Sequence, residues 1–236
     1  MRETLVFLPG LMADARQFLP QLVRLGARFA TQIILPTFGD TVEQMSEAIL
    51  PDLPHRFVLI GQGLGGNLAL DVVRRVPDRV SHIVLLSTDP LAEPPQTAAE
   101  REMRMLAARA GRLDEAMRDE FPENTFADTP WRDEVLALVQ DMAMGLGEGV
   151  FLRQSRALQR RPDQQKTMRR FKLPALVIAG AQDRLVPVRR QEFTSNLMPF
   201  GKLQVIETAG HLPSLEEPDM TTAAIEAFLN GPVLLR

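Results

Sequence analysis

A mostly parallel, doubly wound α/β sheet interrupted by a helical insertion is the architecture this sequence predicts. Three observations predict it. Short apolar runs alternate with helix-like segments at both ends of the chain, the pattern of βαβ units. The runs are apolar throughout more than alternating, which suits strands covered by helices on both faces. Between about residues 90 and 172 the alternation stops and only helical patterns remain.

The expected strands, in order, are "TLVFLP" (4–9), "TQIILP" (31–36), "RFVLIG" (56–61), "SHIVLLS" (81–87), "ALVIAG" (175–180) and "KLQVIE" (202–207). After the second, Thr41 and Gln44 in "TVEQ" have the spacing of a capping box, in which hydroxyl and amide satisfy the free N–H groups of a helix start. "NLALDVVRRVP" reads as a helix from Asn67 to a stop at Pro77. In the insertion, "TAAEREMRMLAARAG" ends at Gly111, a residue suited to the left-handed position after a helix. "TPWRDEVLALVQDMAM" opens with Thr129 as N-cap, Pro130 at the first helical position and acids in the first turn. "GEGVFLRQSRALQRRP" stops before Pro162. The expected division is a core of 1–89 and 173–236, with a helical lid at 90–172.

Bulk properties narrow the function. A chain of 236 residues buries roughly 70–75% of its unfolded surface, enough for a core without staples. There is no cysteine, hence no disulfide, thiol nucleophile or Cys-held metal. A net charge of −3 and a pI near 5.7 argue against a nucleic-acid partner. The start "MRETLVFLPG" is strand-like and too short for a signal peptide, and no apolar run approaches the ~20 residues of a membrane span. The expectation is a soluble, cytoplasmic protein that meets neither membrane nor nucleic acid and needs no cofactor or metal.

Ligands of open parallel sheets sit at the carboxyl ends of the strands. The first expected strand is followed by Pro9-Gly10-Leu11 and the third by "GQGLGG" (61–66). The fifth is followed by "AQDRLVP" with Asp183, and the sixth by "TAGHLPSLEEP" with His211. A glycine turn, an acid and an imidazole therefore converge on one crevice.

In that order these segments resemble the α/β-hydrolase family, whose catalytic triad runs nucleophile, acid, histidine along the chain. "VFLPGL" resembles its oxyanion loop, with Pro9 where many members carry His. "GQGLGG" resembles its nucleophile elbow, "GAQDRLVP" its acid loop, "AGHLPSLEEP" its histidine loop and the insertion its variable lid. The antiparallel strands that many members place before the oxyanion loop are not expected here. One departure dominates: the family's nucleophilic serine falls on Gly63. The resemblance implies that Asp183 accepts the Nδ1–H of His211 and leaves Nε2 as base. It also implies that the N–H groups of Leu11 and Leu64 form the oxyanion hole, and that Gly61, Gly65 and Gly66 permit the sharp turn and close packing. An elbow strains a non-glycine residue by about 1–3 kcal/mol, a cost glycine largely escapes. Glycine at 63 thus keeps the turn and deletes the hydroxyl.

The implied function is hydrolysis of a small ester or related acyl substrate. Three explanations of Gly63 compete: an inactivated form of a working hydrolase, a natural non-catalytic relative that binds a ligand or partner, and an Asp183–His211 pair that acts without serine on a water or a substrate proton. The first is preferred because the acid, the imidazole and the oxyanion loop are all retained. Elsewhere, Arg153, Arg156 and Arg160 share one helix face, a place to receive a carboxylate, a phosphate or an acidic carrier protein, weighed against an ordinary solvated face. The methionines of the insertion, Met103, Met105, Met117, Met142 and Met144, suit either a pliable apolar pocket or helix packing. Ser87, after the fourth strand, reads as a pocket-wall serine in preference to a substitute nucleophile, since nothing around it resembles an elbow. Ser214 is expected in the turn after His211, and His55 and His82 on the surface at strand starts.

Overall fold

The computed structural model describes residues 3–231. Six strands form its sheet: β1 (Thr4–Leu8), β2 (Ala30–Ile33), β3 (Phe57–Gln62), β4 (Val80–Leu86), β5 (Ala175–Gly180) and β6 (Gly201–Ile206). Their order is β2-β1-β3-β4-β5-β6, and every neighbouring pair is parallel. The chain steps outward from β1 to β2, then returns to the other side of β1 for β3. The order therefore reverses at β1/β3, the place where such sheets open a crevice.

The helices are α1 (Leu19–Gly26), α2 (Val42–Ile49), α3 (Leu64–Arg75), α4 (Pro95–Arg109), α5 (Leu113–Glu120), α6 (Arg132–Leu146), α7 (Glu148–Gln159), α8 (Gln165–Arg170), α9 (Val188–Leu197), α10 (Pro213–Glu216) and α11 (Pro218–Asn230). Alternate strand residues point to opposite faces, and the core divides accordingly. Val6, Leu8, Leu59 and Leu85 pack with Met45 of α2 and Leu68 and Val72 of α3. Leu5, Phe7, Val58 and Leu86 pack with Leu25 of α1 and Ile225 of α11. Helices α4 to α8 fill the insertion between β4 and β5, and no single described helix is long and apolar enough to cross a membrane.

Several local expectations need correction. Continuous burial holds for the central strands but not the edges: β6 alternates and β2 is mostly half-buried, because an edge strand has only one neighbour. Thr41 does cap α2, with its Oγ1 accepting from Gln44 N at 3.2 Å, but the Gln44 amide oxygen reaches Asp40 N instead of Thr41 N. Helix α6 begins at Arg132, later than the Thr129 cap implied. Residues 129–132 close a turn, Arg132 N to Thr129 O, and the Trp131 indole N–H is tied to Glu216 O at 3.0 Å. Tertiary anchoring of Trp131 thus displaces the helix start. Gly111 takes φ 79° after α4, as a left-handed stop. His55 is exposed, but His82 is half-buried, edge-on to Phe228 with centroids 5.6 Å apart, and burial lowers its pKa.

Candidate active site

Gly63 is the single residue between β3 and α3, at φ 53° and ψ −114°. Its N–H donates to Leu86 O at 3.0 Å, and its carbonyl accepts from the backbone N–H and side-chain amide of Asn67, both at 3.2 Å. The glycines around it are required by close approach. A Cβ at Gly61 would lie 2.5 Å from Gly65 O, one at Gly65 1.9 Å from Leu8 O, and one at Gly66 2.0 Å from Thr88 Oγ1. A Cβ at Gly63, by contrast, meets no heavy atom within 4 Å.

The acid and the imidazole follow the ends of β5 and β6. Asp183 follows β5, where its Oδ1 accepts from Leu185 N and Val186 N, each at 2.9 Å. His211 Nδ1 lies 3.1 and 3.0 Å from the two Asp183 oxygens, and both side chains are buried. Burial alone would discharge the imidazole. The Asp183 carboxylate outweighs it, aided by Glu216 and Glu120, and the His211 pKa is raised above its ordinary value.

The loop that carries His211 is held by groups the sequence did not single out. The Glu216 carboxylate accepts from the N–H groups of Ala127, Gly210 and Leu212 at 2.7–2.8 Å. Burial still pushes its pKa up, against those donors. Ser214, inside α10 and not merely at its turn, donates to Gln62 Oε1 at 2.8 Å. Gln62 in turn donates to His211 O at 2.9 Å. Motif spacing carries no signal for Gln62; the repeated acids of "SLEEP" were the one local hint of Glu216.

The turn after β1 is fixed in the same manner. Gly10 N donates to Gln17 Oε1 at 2.8 Å, and Met12 N to Gln154 Oε1 at 2.7 Å. The N–H between them, that of Leu11, has no acceptor among the described residues, and neither has that of Leu64 at the start of α3. Side-chain oxygens thus occupy the flanking Gly10 and Met12 donors and leave the Leu11 N–H without an acceptor among the described residues.

One cavity of about 520 Å³ is bordered by Leu11, Gly63, Leu64, Ser87 and His211, with Asp183 behind His211 and outside the lining. Its far wall comes from the insertion and is ionic. Arg101 is bidentate to Glu93 (2.9 Å) and bonded to Glu120 (2.8 Å), and Arg161 joins Glu93 at 2.7 Å. Burial opposes the Arg101 charge, but Glu120 and Glu93 raise its pKa and keep it charged. The methionine pocket does not form: Met103 and Met144 are exposed, Met105 and Met117 are core, and only Met142 of the five reaches the cavity. Arg153 donates to Thr37 O at 2.8 Å and Arg156 pairs with Asp40 at 3.5 Å, while Arg160 is exposed. A larger depression of about 780 Å³ opens near the amino end of β4, beside Arg56, Val80 and Lys172. It holds none of the elbow, acid or imidazole groups.

A switch-point crevice with a glycine elbow, an Asp–His pair and two free N–H donors defines an α/β-hydrolase type of scaffold. The profile of the alpha/beta hydrolase family matches residues 5–224, and the chain belongs to that family. It is similar to the pimeloyl-[acyl-carrier protein] methyl ester esterase of Aromatoleum aromaticum, at 29% identity over 213 residues and 83% of each chain. The enzyme of the same name from Edwardsiella ictaluri is 25% identical over 98% of this chain and 94% of its own. Among solved structures, a thermophilic esterase from Thermogutta terrifontis superposes with a TM-score of 0.86 at 22% identity, covering 96% of this chain and 89% of that one. An enol-lactonase from Burkholderia xenovorans gives 0.85 at 20% identity, over 98% and 92%.

Proposed function

We propose that this chain is a carboxylic-ester hydrolase scaffold, acting on a small ester or related acyl substrate, whose elbow lacks the usual hydroxyl. The observation that carries this reading is the convergence of Gly63, the Asp183–His211 pair and the Leu11 and Leu64 N–H groups on one cavity. In this reading Asp183 holds the tautomer of His211, and Nε2 serves as base and then as acid. Leu11 and Leu64 hold the charge that develops on the carbonyl oxygen, with the positive end of α3 behind Leu64. The cavity falls within the roughly 300–1,000 Å³ of small-molecule sites, and the methyl-ester substrates named for the relatives favour a small alcohol as leaving group. Insertion helices α4 to α8 act as the lid. Arg153 and Arg156 are assigned to holding the loop after β2, ahead of docking an acidic carrier protein. Because position 63 carries no hydroxyl, turnover by the unaltered chain is slow. The test is Gly63→Ser with and without His211→Ala: ester hydrolysis gained by the first and lost again with the second supports the reading. A folded Gly63→Ser protein without activity favours a ligand-binding role.

A further inference from the structure

We infer that Ser87 supplies the hydroxyl through which the unaltered chain attacks an ester, in place of the serine absent at position 63. The inference rests on the reading of Asp183 and His211 as the acid–base pair.

Topology puts Ser87 beside the elbow. Gln62↔Leu86 is the last rung of the β3–β4 ladder, so the next residues, Gly63 and Ser87, are lateral neighbours. In the sheet order β4 lies between β3, which ends at the elbow, and β5, whose following turn carries Asp183. Neighbouring strands are about 4.8 Å apart. An imidazole bonded to Asp183 and serving the elbow therefore spans the end of β4, where Ser87 sits.

Three further observations separate Ser87 from an ordinary pocket-wall residue. Its backbone is left-handed, φ 43°, one of two such non-glycine residues among those described, and this conformation is uncommon for serine. It is fully buried and borders the cavity together with Gly63 and His211. Its Oγ has no hydrogen-bond partner, His211 included, whereas buried hydroxyls are ordinarily paired, so the hydroxyl has to turn to meet the imidazole. The next residue shows the contrast: the Thr88 hydroxyl is committed to Leu86 O at 3.0 Å and packs where Gly66 leaves room. With no hydrogen bond to break, rotation about χ1 of Ser87 is unimpeded by any polar anchor. The sequence concealed all this because neither the lateral register nor the sign of φ is written in "LLSTDP".

The step balances without a co-reactant other than water. Ser87 Oγ bonds to the ester carbonyl carbon as its proton passes to His211 Nε2 and the carbonyl π pair moves to oxygen. That pair returns, the bond to the alkoxy oxygen breaks, and the departing oxygen takes the proton from His211 as the alcohol leaves. Water then attacks the Ser87 acyl ester, giving a proton to His211. Collapse releases the carboxylic acid and returns that proton to Ser87 Oγ.

The experiment treats the purified chain with a fluorophosphonate, maps the adduct by peptide mass, and follows p-nitrophenyl acetate hydrolysis. The variants are Ser87→Gly, Ser87→Ala and His211→Ala. Ser87→Gly is the decisive one, since glycine takes a left-handed backbone freely and should keep or raise the melting temperature. The expected result is an adduct on Ser87 and at least a tenfold loss of the slow hydrolysis in Ser87→Gly and in His211→Ala. A Ser87→Gly rate equal to the unaltered chain, an adduct elsewhere, or no adduct and no rate above buffer overturns the inference. If hydrolysis needs His211 but not Ser87, water is the nucleophile and the acid–base reading survives alone. A Gly63→Ser, Ser87→Gly double variant separates the two further: labelling at position 63 upholds the site even where Ser87 has failed.

Discussion

Substituting serine for Gly63 perturbs two quantities that the structure separates. The backbone at φ 53° and ψ −114° lies where a side chain is strained by about 1–3 kcal/mol. Sterics add nothing, since a Cβ there meets no heavy atom within 4 Å. At about 2–4 °C per kcal/mol for a chain of this size, Gly63→Ser should melt roughly 2–12 °C below the unaltered protein. Gly63→Ala carries the same strain without a hydroxyl and should melt alongside it. Activity should diverge. Removing a nucleophilic serine from a preorganised triad costs on the order of 10⁶ in kcat, so restoring one beside a buried Asp183–His211 pair should raise hydrolysis by about 10³ or more. The assay is turnover of short-chain p-nitrophenyl and methyl esters, with fluorophosphonate labelling and peptide mapping, in Gly63→Ser, Gly63→Ala and Gly63→Ser/His211→Ala. Gain confined to the first, with the adduct at position 63, is the expected outcome. If Gly63→Ser shows the fall in melting temperature yet neither labels nor turns over any ester, the side chain is in place and the chemistry is not. The hydrolytic reading of the cavity is then refuted.

Four other outcomes are expected. The Asp183 carboxylate outweighs burial and raises the His211 pKa, so kcat/KM of Gly63→Ser, which needs neutral imidazole, should rise with pH through a midpoint above the ordinary ~6.5; a midpoint at or below that value contradicts the assignment. The same shift makes the imidazolium favour the fold, a stabilisation complete below the unfolded pKa near 6.5 and lost as pH rises through the higher folded one; urea melts should show that slope and His211→Ala should lack it. Gly65→Ala sets a Cβ 1.9 Å from the backbone oxygen of Leu8, so it should cost about 4 kcal/mol or more, or fail to fold, where Gly63→Ala does not; equal melting of the two variants would show that the β1–α3 approach is not tight. Arg156→Glu breaks a part-exposed pair with Asp40 at 3.5 Å and should cost about 0–1 kcal/mol without changing the preference of Gly63→Ser for neutral over anionic esters. A KM for an anionic ester that rises at low salt and recovers as the Debye length shrinks to about 8 Å would restore the docking role.

What the sequence disclosed is what chain order and strand chemistry carry. The central strands were legible because buried parallel strands are apolar runs, the half-exposed edge strands β2 and β6 from their shorter apolar stretches, and each of the site segments because it follows its own strand end. What it hid depends on contacts distant in sequence. Gln154 reaches Met12 N across 142 positions, and Arg161 reaches Glu93 across 68; no local periodicity encodes either, yet they fix the turn after β1 and the charged cavity wall. The misplaced start of α6 has the same origin, an indole anchored on Glu216 overriding a sound local cap.

The four elbow glycines show most clearly where motif reading stops. In "GQGLGG" they are equivalent letters, and all four can be ascribed to a tight turn. The structure divides them. Gly61, Gly65 and Gly66 sit where a methyl group would lie 1.9–2.5 Å from a neighbouring atom, so packing of α3 on the sheet demands them. Gly63 faces open space, and only its positive φ favours glycine. Nothing that packs the fold therefore requires glycine at 63, and around it lie an imidazole paired with a carboxylate, two N–H groups without acceptors among the described residues, and the cavity itself. The turn is kept by three residues and relaxed by the fourth. That separates its structural demand from its chemical one, and it is why one substitution can test the chemistry with the packing left in place.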